Sequence, residues 1–253
     1  MSMKAPLLSR VSGRLQYTIA PLIPIRFIRS LLYYKFFRYP DFEYQGERLE
    51  YFFHSYNNWR TSERAIEIPI VHRYLEKAAD ARVLEIGNVT NHYHDYFREV
   101  KGDFTVLDKF ENAHGVLRMD VAEYVPAEKY DFVFSISTFE HMDSDLGRNP
   151  DYVAGSAVLG TVAADNIKHV ADHMVKEGGT FLLTAPIGYT PEWDETFWSG
   201  MLDQCGFSSH RTTLYAKDSE ITWKPIPESE ARAAGSSDRW PGVTCICVIE
   251  FTR

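Results

Sequence analysis

From residue 61 onward, stretches with helical periodicity alternate with short apolar runs, and this alternation limits the fold more than any single motif does. "TSERAIEIPIVHRYLEKAAD" (61–80) carries helix-start chemistry at Thr61 or Ser62 and an apolar stripe of Ala65, Ile66, Ile70, Val71, Tyr74 and Leu75. Strand candidates follow at Arg82–Ile86, Phe104–Leu107, Val116–Met119, Phe132–Ile136, Thr180–Thr184, Ser208–Leu214 and Val243–Phe251. Helical patterns fit between the first two strands, around Ala163–Val175 and around Glu195–Cys205. The pattern predicts an α/β fold: a doubly wound, mostly parallel seven-stranded sheet with helices on both faces. The last two candidates are joined through Pro225, Pro227 and a Gly-Ser stretch without long helical periodicity, which predicts an antiparallel C-terminal edge hairpin. Residues 61–253 form the expected main domain, and residues 1–60 an N-terminal extension with helical character.

Charge separates the two parts. Residues 1–40 hold seven Lys or Arg and no Asp or Glu; since the whole chain carries −8, the remainder carries −15. In "IRFIRSLLYYKFFRY" apolar and basic residues interleave, as in an amphipathic helix with a cationic rim suited to an anionic membrane surface. Packing of these aromatics on the main domain is the alternative. Nucleic acid is not an expected partner, because the acidic body repels phosphates. The longest uncharged run is 14 residues, Gly178–Pro191, and contains glycines and prolines, too short and broken for a spanning helix. Pro21 and Pro24 interrupt the apolar stretch from Leu15 to Ile25, which therefore reads poorly as a secretory signal. The expected location is cytoplasmic, with a peripheral position on the inner membrane surface if the basic segment binds lipid. Cys205, Cys245 and Cys247 have no metal-ligand spacing and read as reduced core thiols, the last two on one face of a strand.

The stretch "VLEIGNVTNHYHDYF" (83–97) opens like a strand-to-helix cofactor loop, with Glu85 and Gly87 in place, and then lacks the further glycines. "TVLDKF" ends the next strand with Asp108, 21 residues after Gly87, where a carboxylate can accept hydrogen bonds from ribose hydroxyls. "MDVAEY" supplies Asp120, and "YDFVFSISTFEHM" and "HMVKEGGTFLLTAPIGY" complete a series in register. In order and spacing these motifs resemble the class I methyltransferases that use S-adenosylmethionine, over roughly residues 61–251. "EIGNV" and "SISTFEH" are similar to a branch of that superfamily associated with surface glycan synthesis. The resemblance implies a Rossmann-like methyltransferase fold, with a cofactor site of Glu85, Gly87, Asn88, Asp108, Lys109, Asp120, Val121, Ser135 and Ser137. Within it Asp120 would meet the adenine amino group. A nicotinamide enzyme would require the G-x-G-x-x-G turn that brings amides to a pyrophosphate, and only Gly87 is present.

The family's loop reads acid-x-Gly-x-Gly-x-Gly, and here Val89 and Asn91 stand at the second and third glycine positions. Either the loop takes another path, or the site is dead and the protein is a degenerate binding module. Asn88 favours the first, because asparagine tolerates left-handed geometry and could make the turn itself.

Methyl transfer to a hydroxyl needs alignment and one base. "STFEHM" leaves its strand at the sheet's carboxyl edge, which makes His141 the candidate base and Glu140 its orienter. The bland reading is that both stabilise a loop. Tyr189, Trp193 and Asp194 suit stacking and hydrogen bonding of a small-molecule, sugar or glycan acceptor. His92, His94 and Asp95, and the cluster Glu140, His141, Asp143 and Asp145, offer no convincing ligand spacing, so no metal is expected.

Overall fold

The structure, a computed structural model, describes residues 41–57, 62–142, 161–219, 222–234 and 242–253. The basic segment, Thr61, Asp143 and Asp145 lie outside the described residues. The elements in chain order are β1 (Phe42–Tyr44), β2 (Glu47–Leu49), α1 (Arg64–Lys77), β3 (Arg82–Ile86), the one-turn α2 (His94–Phe97), β4 (Asp103–Asp108) and β5 (Val116–Arg118). They continue with β6 (Tyr130–Ile136), α3 (Val162–His169), β7 (Val175–Pro186), α4 (Pro191–Trp198), β8 (Ser209–Lys217), β9 (Trp223–Ile226), α5 (Glu228–Ala234) and β10 (Cys245–Thr252).

The chain forms two compact units. One gathers the described residues up to Ile70 with Lys217–Lys224; the other comprises Val71–Ala216 and Pro225–Arg253. In the first, Gln45 and Gly46 take positive φ (53° and 80°), the geometry that closes a two-residue hairpin between β1 and β2. The Tyr51 hydroxyl both donates to the carbonyl of Trp223 (3.1 Å) and accepts from its amide (2.8 Å). Pro69 sits inside α1 and has no N–H for the Ala65 carbonyl four residues back; the Phe52 amide takes that carbonyl instead at 2.9 Å.

The main sheet has eight strands in the order β5-β4-β3-β6-β7-β10-β8-β9. The neighbours from β5 to β7 pair parallel. β10 runs antiparallel to both β7 and β8, so the C-terminal strand is inserted between them. The expected C-terminal pair thus forms, one place further in than an edge hairpin. Apolar runs in β3, β6, β7 and β10 are buried on both faces, as strands covered by helices on either side must be. On one face Phe181, Leu183, Cys247, Ile249 and Phe251 pack with Ile167, Val170 and Trp193 in a single core. Burial pushes the thiols of Cys205 and Cys245 up, to about 11 and about 12, the mark of inert core cysteines.

The chain leaves β3 toward β4 and β5 on one side, then returns to build β6 and β7 on the other. The order therefore reverses at β3, and a crevice opens outside the carboxyl ends of β3 and β6. In open α/β sheets this is where ligands bind. No helix among the described residues is long and apolar enough to cross a membrane.

Candidate functional site

Gly87, the first residue beyond β3, makes the turn into the crevice with φ +89°, and its amide donates to the Leu107 carbonyl at 2.8 Å. Val89 is right-handed α (φ −95°, ψ −43°). A β-branched residue at the second glycine position therefore meets no positive-φ requirement here. Asn88 is also absent from the positive-φ residues, which corrects the expectation that it turns the chain: Gly87 does that, and Asn88 acts through its side chain. Its amide nitrogen donates to Glu111 Oε2, and its carbonyl oxygen accepts from Asn91 Nδ2. Side-chain amides thus tie together a loop that the glycine pattern leaves to bare backbone.

Glu85 organises the same loop from beneath. Oε1 accepts from the amides of Val89 and Thr90, both at 2.8 Å, and Oε2 accepts from the Thr90 hydroxyl. Burial pushes its carboxyl up to about 7; the hydrogen bonds from Thr90 and Val89 oppose that rise, and the nearby Asp108 charge adds to it. Because the folded value lies above the ordinary 4.5, the folded state keeps a proton that the unfolded chain gives up. Stability conferred by Glu85 is then full below pH 4.5, falls as pH rises to about 7, and is flat beyond. The loss over that window is about 3 kcal/mol. In Glu85→Gln, which keeps the shape and an acceptor oxygen, this fall is expected to vanish. Denaturant unfolding of both proteins between pH 4.5 and 8 measures it, and parallel curves would show that Glu85 is not the titrating group.

Asp108, at the tip of β4, accepts from the amides of Phe110 and Glu111 (both 2.8 Å) and Asn88 (3.1 Å), so one carboxylate joins the two loops bordering the crevice. Beyond β5, Asp120 accepts from the Ala122 amide (3.0 Å) and pairs with Lys109 Nζ (2.8 Å). Burial alone would raise the Asp120 carboxyl, but Lys109 and the Ala122 amide outweigh it and hold the group below its ordinary value. Val121, the next residue, is buried. Ser135 requires a correction: it is fully buried, and its hydroxyl donates to the Ile86 carbonyl at 2.8 Å, tying β6 to β3 instead of meeting a ligand. Ser137 stands at the exit of β6 with φ +41°, and its amide donates to the Thr184 carbonyl. A non-glycine residue held in that region marks stored strain beside the crevice.

The one-turn segment Phe139–His141 follows. Glu140 is buried, while the His141 side chain is 48% exposed with Nε2 3.7 Å from Glu140 Oε1. Tyr189, 57% exposed, meets the imidazole edge-on at 5.8 Å, and Thr190 Oγ1 donates to the Glu140 carbonyl. The exits of β6 and β7 are thereby locked together around an accessible imidazole. Asp194 accepts from the Gly188 amide at 2.9 Å, and burial raises its carboxyl. Trp193 is the second correction. At 0% exposure, packed 6.1 Å from Phe197, its ring is a wall of the core and cannot stack on an acceptor. His92 and His94 face different carboxylates, Glu111 (3.8 Å) and Asp95 (3.5 Å). No group of three His, Cys, Asp or Glu side chains is arranged to hold a metal among the described residues.

A cavity of about 500 Å³ lies elsewhere, against β8, lined by Phe197, Trp198, Asp203, His210, Glu228 and Arg232 among others. The sequence did not single it out. Its charges pair with one another, Arg232 with Glu228 (2.6 Å) and His210 with Asp203 (3.7 Å), and the Arg232 guanidinium covers Trp198 at 4.0 Å. Nothing in that lining selects the charge of a ligand.

Fold and topology define a doubly wound α/β protein whose strand order reverses between β3 and β6. Among solved structures the chain is similar to an S-adenosylmethionine-dependent methyltransferase from Archaeoglobus fulgidus, at 14% identity and TM-score 0.46, covering 78% of this chain and 98% of that one. It is similar also to the N-methyltransferase NodS from Bradyrhizobium japonicum WM9 in complex with S-adenosylhomocysteine, at 14% identity and TM-score 0.47, covering 76% and 88%. No family model and no curated protein matches the chain.

Val89→Gly separates an altered loop from a ruined one. Val89 is half-buried in helical geometry with its amide held by Glu85, so its removal is expected to cost about 1–2 kcal/mol of stability and to leave ligand affinity equal or weaker. Titration calorimetry with S-adenosylhomocysteine checks this; tighter binding would mean that the side chain had been blocking the site.

Proposed function

We propose that this chain is an S-adenosylmethionine-dependent methyltransferase that O-methylates a sugar, a glycan precursor or another small molecule, with His141 as base and Glu140 as its orienter. The observation that carries the reading is the crevice at the strand-order reversal, where Gly87 at φ +89°, the amides held by Glu85, and Asp108 at the tip of β4 converge. A sulfonium cofactor has no phosphate and needs no row of amides, so one glycine suffices for close approach. The ribose belongs at the tip of β4, with the adenine between there and Asp120. The bound cofactor would supply an electrophilic methyl group; the protein aligns an acceptor hydroxyl with it and removes the proton at His141 Nε2 or Nδ1. Tyr189 and Asp194 border the acceptor side. Residues 1–40, with seven basic and no acidic groups, support peripheral attachment to an anionic inner membrane surface.

One observation favours the second reading, a catalytically degenerate methyltransferase-like binding protein. Asp120 and Lys109 are spent on each other, and Glu111 and Asn88 bridge the crevice mouth, so a ligand must rearrange both pairs. S-adenosylhomocysteine at 100 times its dissociation constant is expected to stabilise the protein by about 2.7 kcal/mol and raise its melting temperature by roughly 5–10 °C. No shift at millimolar ligand would overturn the enzyme reading and leave the second. Incubation with S-adenosylmethionine and candidate acceptors, read by mass for an added methyl group, decides between them.

A further inference from the structure

The cavity of about 500 Å³ against β8 takes no part in the proposed reaction, yet it has the size of a small-ligand site, about 300–1,000 Å³. Its wall belongs entirely to the larger unit, and β8 lies four strands across the sheet from β3, roughly 19 Å at the usual strand spacing. The polar side chains in that wall are of both kinds and keep much of their bonding capacity. Arg232 gives Nε and Nη2 to a single oxygen of Glu228, Oε1, at 2.9 and 2.6 Å. Among the described residues no hydrogen bond uses Glu228 Oε2, Arg232 Nη1 or the Thr212 hydroxyl. The Asp203 and His210 side chains stand 3.7 Å apart, beyond hydrogen-bond reach. Trp198 supplies an apolar side, with the Arg232 guanidinium 4.0 Å from its ring centre and Phe197 edge-on at 4.5 Å.

We infer that this cavity is a second binding site, and that its ligand is an uncharged sugar ring. Two acids face a guanidinium and an imidazole, so a charged ligand meets repulsion along with attraction. A purely apolar ligand would strip water from Glu228 Oε2, Arg232 Nη1 and Thr212 and return no hydrogen bond to them. A hydroxyl both donates and accepts, so a ring carrying several can answer the carboxylates and the guanidinium together while its C–H face lies against the aromatic side. Arg232 is already held by Glu228 and Trp198, so binding has few side chains to order. The site is independent of the cofactor reading, and its test leaves that reading untouched.

Saturation-transfer NMR of the full chain with the methyl glycosides of glucose, galactose, mannose and N-acetylglucosamine tests this, with indole as the apolar probe and a glucose phosphate as the charged one. Wild type is expected to bind at least one of the glycosides at millimolar concentration. Arg232→Met and Thr212→Val should each weaken that binding by about fivefold or more. Both residues are exposed, so both variants should melt like wild type; Thr212→Val preserves side-chain shape and serves alone if Arg232→Met disturbs Trp198. Three results would overturn the inference: no binding of any methyl glycoside, unchanged binding in both variants, or tighter binding of indole or the glucose phosphate that displaces the glycoside.

Discussion

His141→Ala is expected to lower kcat by about 10² to 10⁴ while leaving S-adenosylhomocysteine affinity within about twofold, the signature of a lost general base. The geometry favours this imidazole over its neighbours. It is half-exposed at the crevice, whereas Glu140 is buried and Asp194 is tied to the Gly188 amide. Its backbone is fixed by the 3.1 Å bond from its own amide to the Thr138 carbonyl, and its ring is flanked by Tyr189 and by Glu140 Oε1. A carboxylate 3.7 Å away favours the imidazolium that forms as the acceptor loses its proton. Glu140→Gln should accordingly lower kcat by about tenfold, since the neutral amide no longer stabilises the charged ring. Rates are read with the acceptor found by mass screening. Unchanged turnover in His141→Ala would leave the histidine as a loop residue and move the search for the base to Tyr189.

The parallel strands were legible because burial on both faces forces continuous apolar runs, and "RVLEI" and "YDFVFSI" have no other comfortable place in a globular chain. Trp223–Ile226 was not, because a four-residue strand containing Pro225 has the composition of a turn and only a sheet edge tolerates it. The helix expected between β3 and β4 shrinks to a turn at Thr90–Tyr93 and the four residues of α2, since Asn91, His92, His94 and Asp95 supply no apolar stripe beyond Tyr93 and Phe97.

In the site, residue types were easier to read than their directions. Asp108 and Glu85 stand where strand ends and a glycine place them, and the structure makes both hubs of backbone amides. Ser135 and Trp193 sit in the same segments yet point into the core, because period-2 and period-3.6 patterns cannot say which face of a strand or helix meets solvent when both are apolar. Glu111 escaped notice for a different reason. Three residues past Asp108 in an irregular loop, it reads as one more surface acid, and only the fold brings it opposite Asn88.

Gly87→Ala is expected to cost about 2–4 kcal/mol and to lower the melting temperature by roughly 5–15 °C. Two separate penalties combine. At φ +89° an L-residue is strained by about 1–2 kcal/mol. A Cβ there would also stand 2.2 Å from Thr138 Oγ1 and 3.0 Å from its Cγ2, a contact that no small adjustment relieves because Thr138 is β-branched and its hydroxyl is bound to the Ile136 carbonyl. The double variant Gly87→Ala/Thr138→Ala separates the two: removing Oγ1 and Cγ2 should restore the steric part and leave the backbone part, so the pair is non-additive by about 1–2 kcal/mol. Ligand affinity should not recover in parallel, because the strained turn displaces the Asn88 and Val89 amides that Asp108 and Glu85 hold. If Gly87→Ala melts and binds like wild type, the chain does not make its turn at Gly87, and the crevice at the exit of β3 does not have the shape on which the cofactor reading depends.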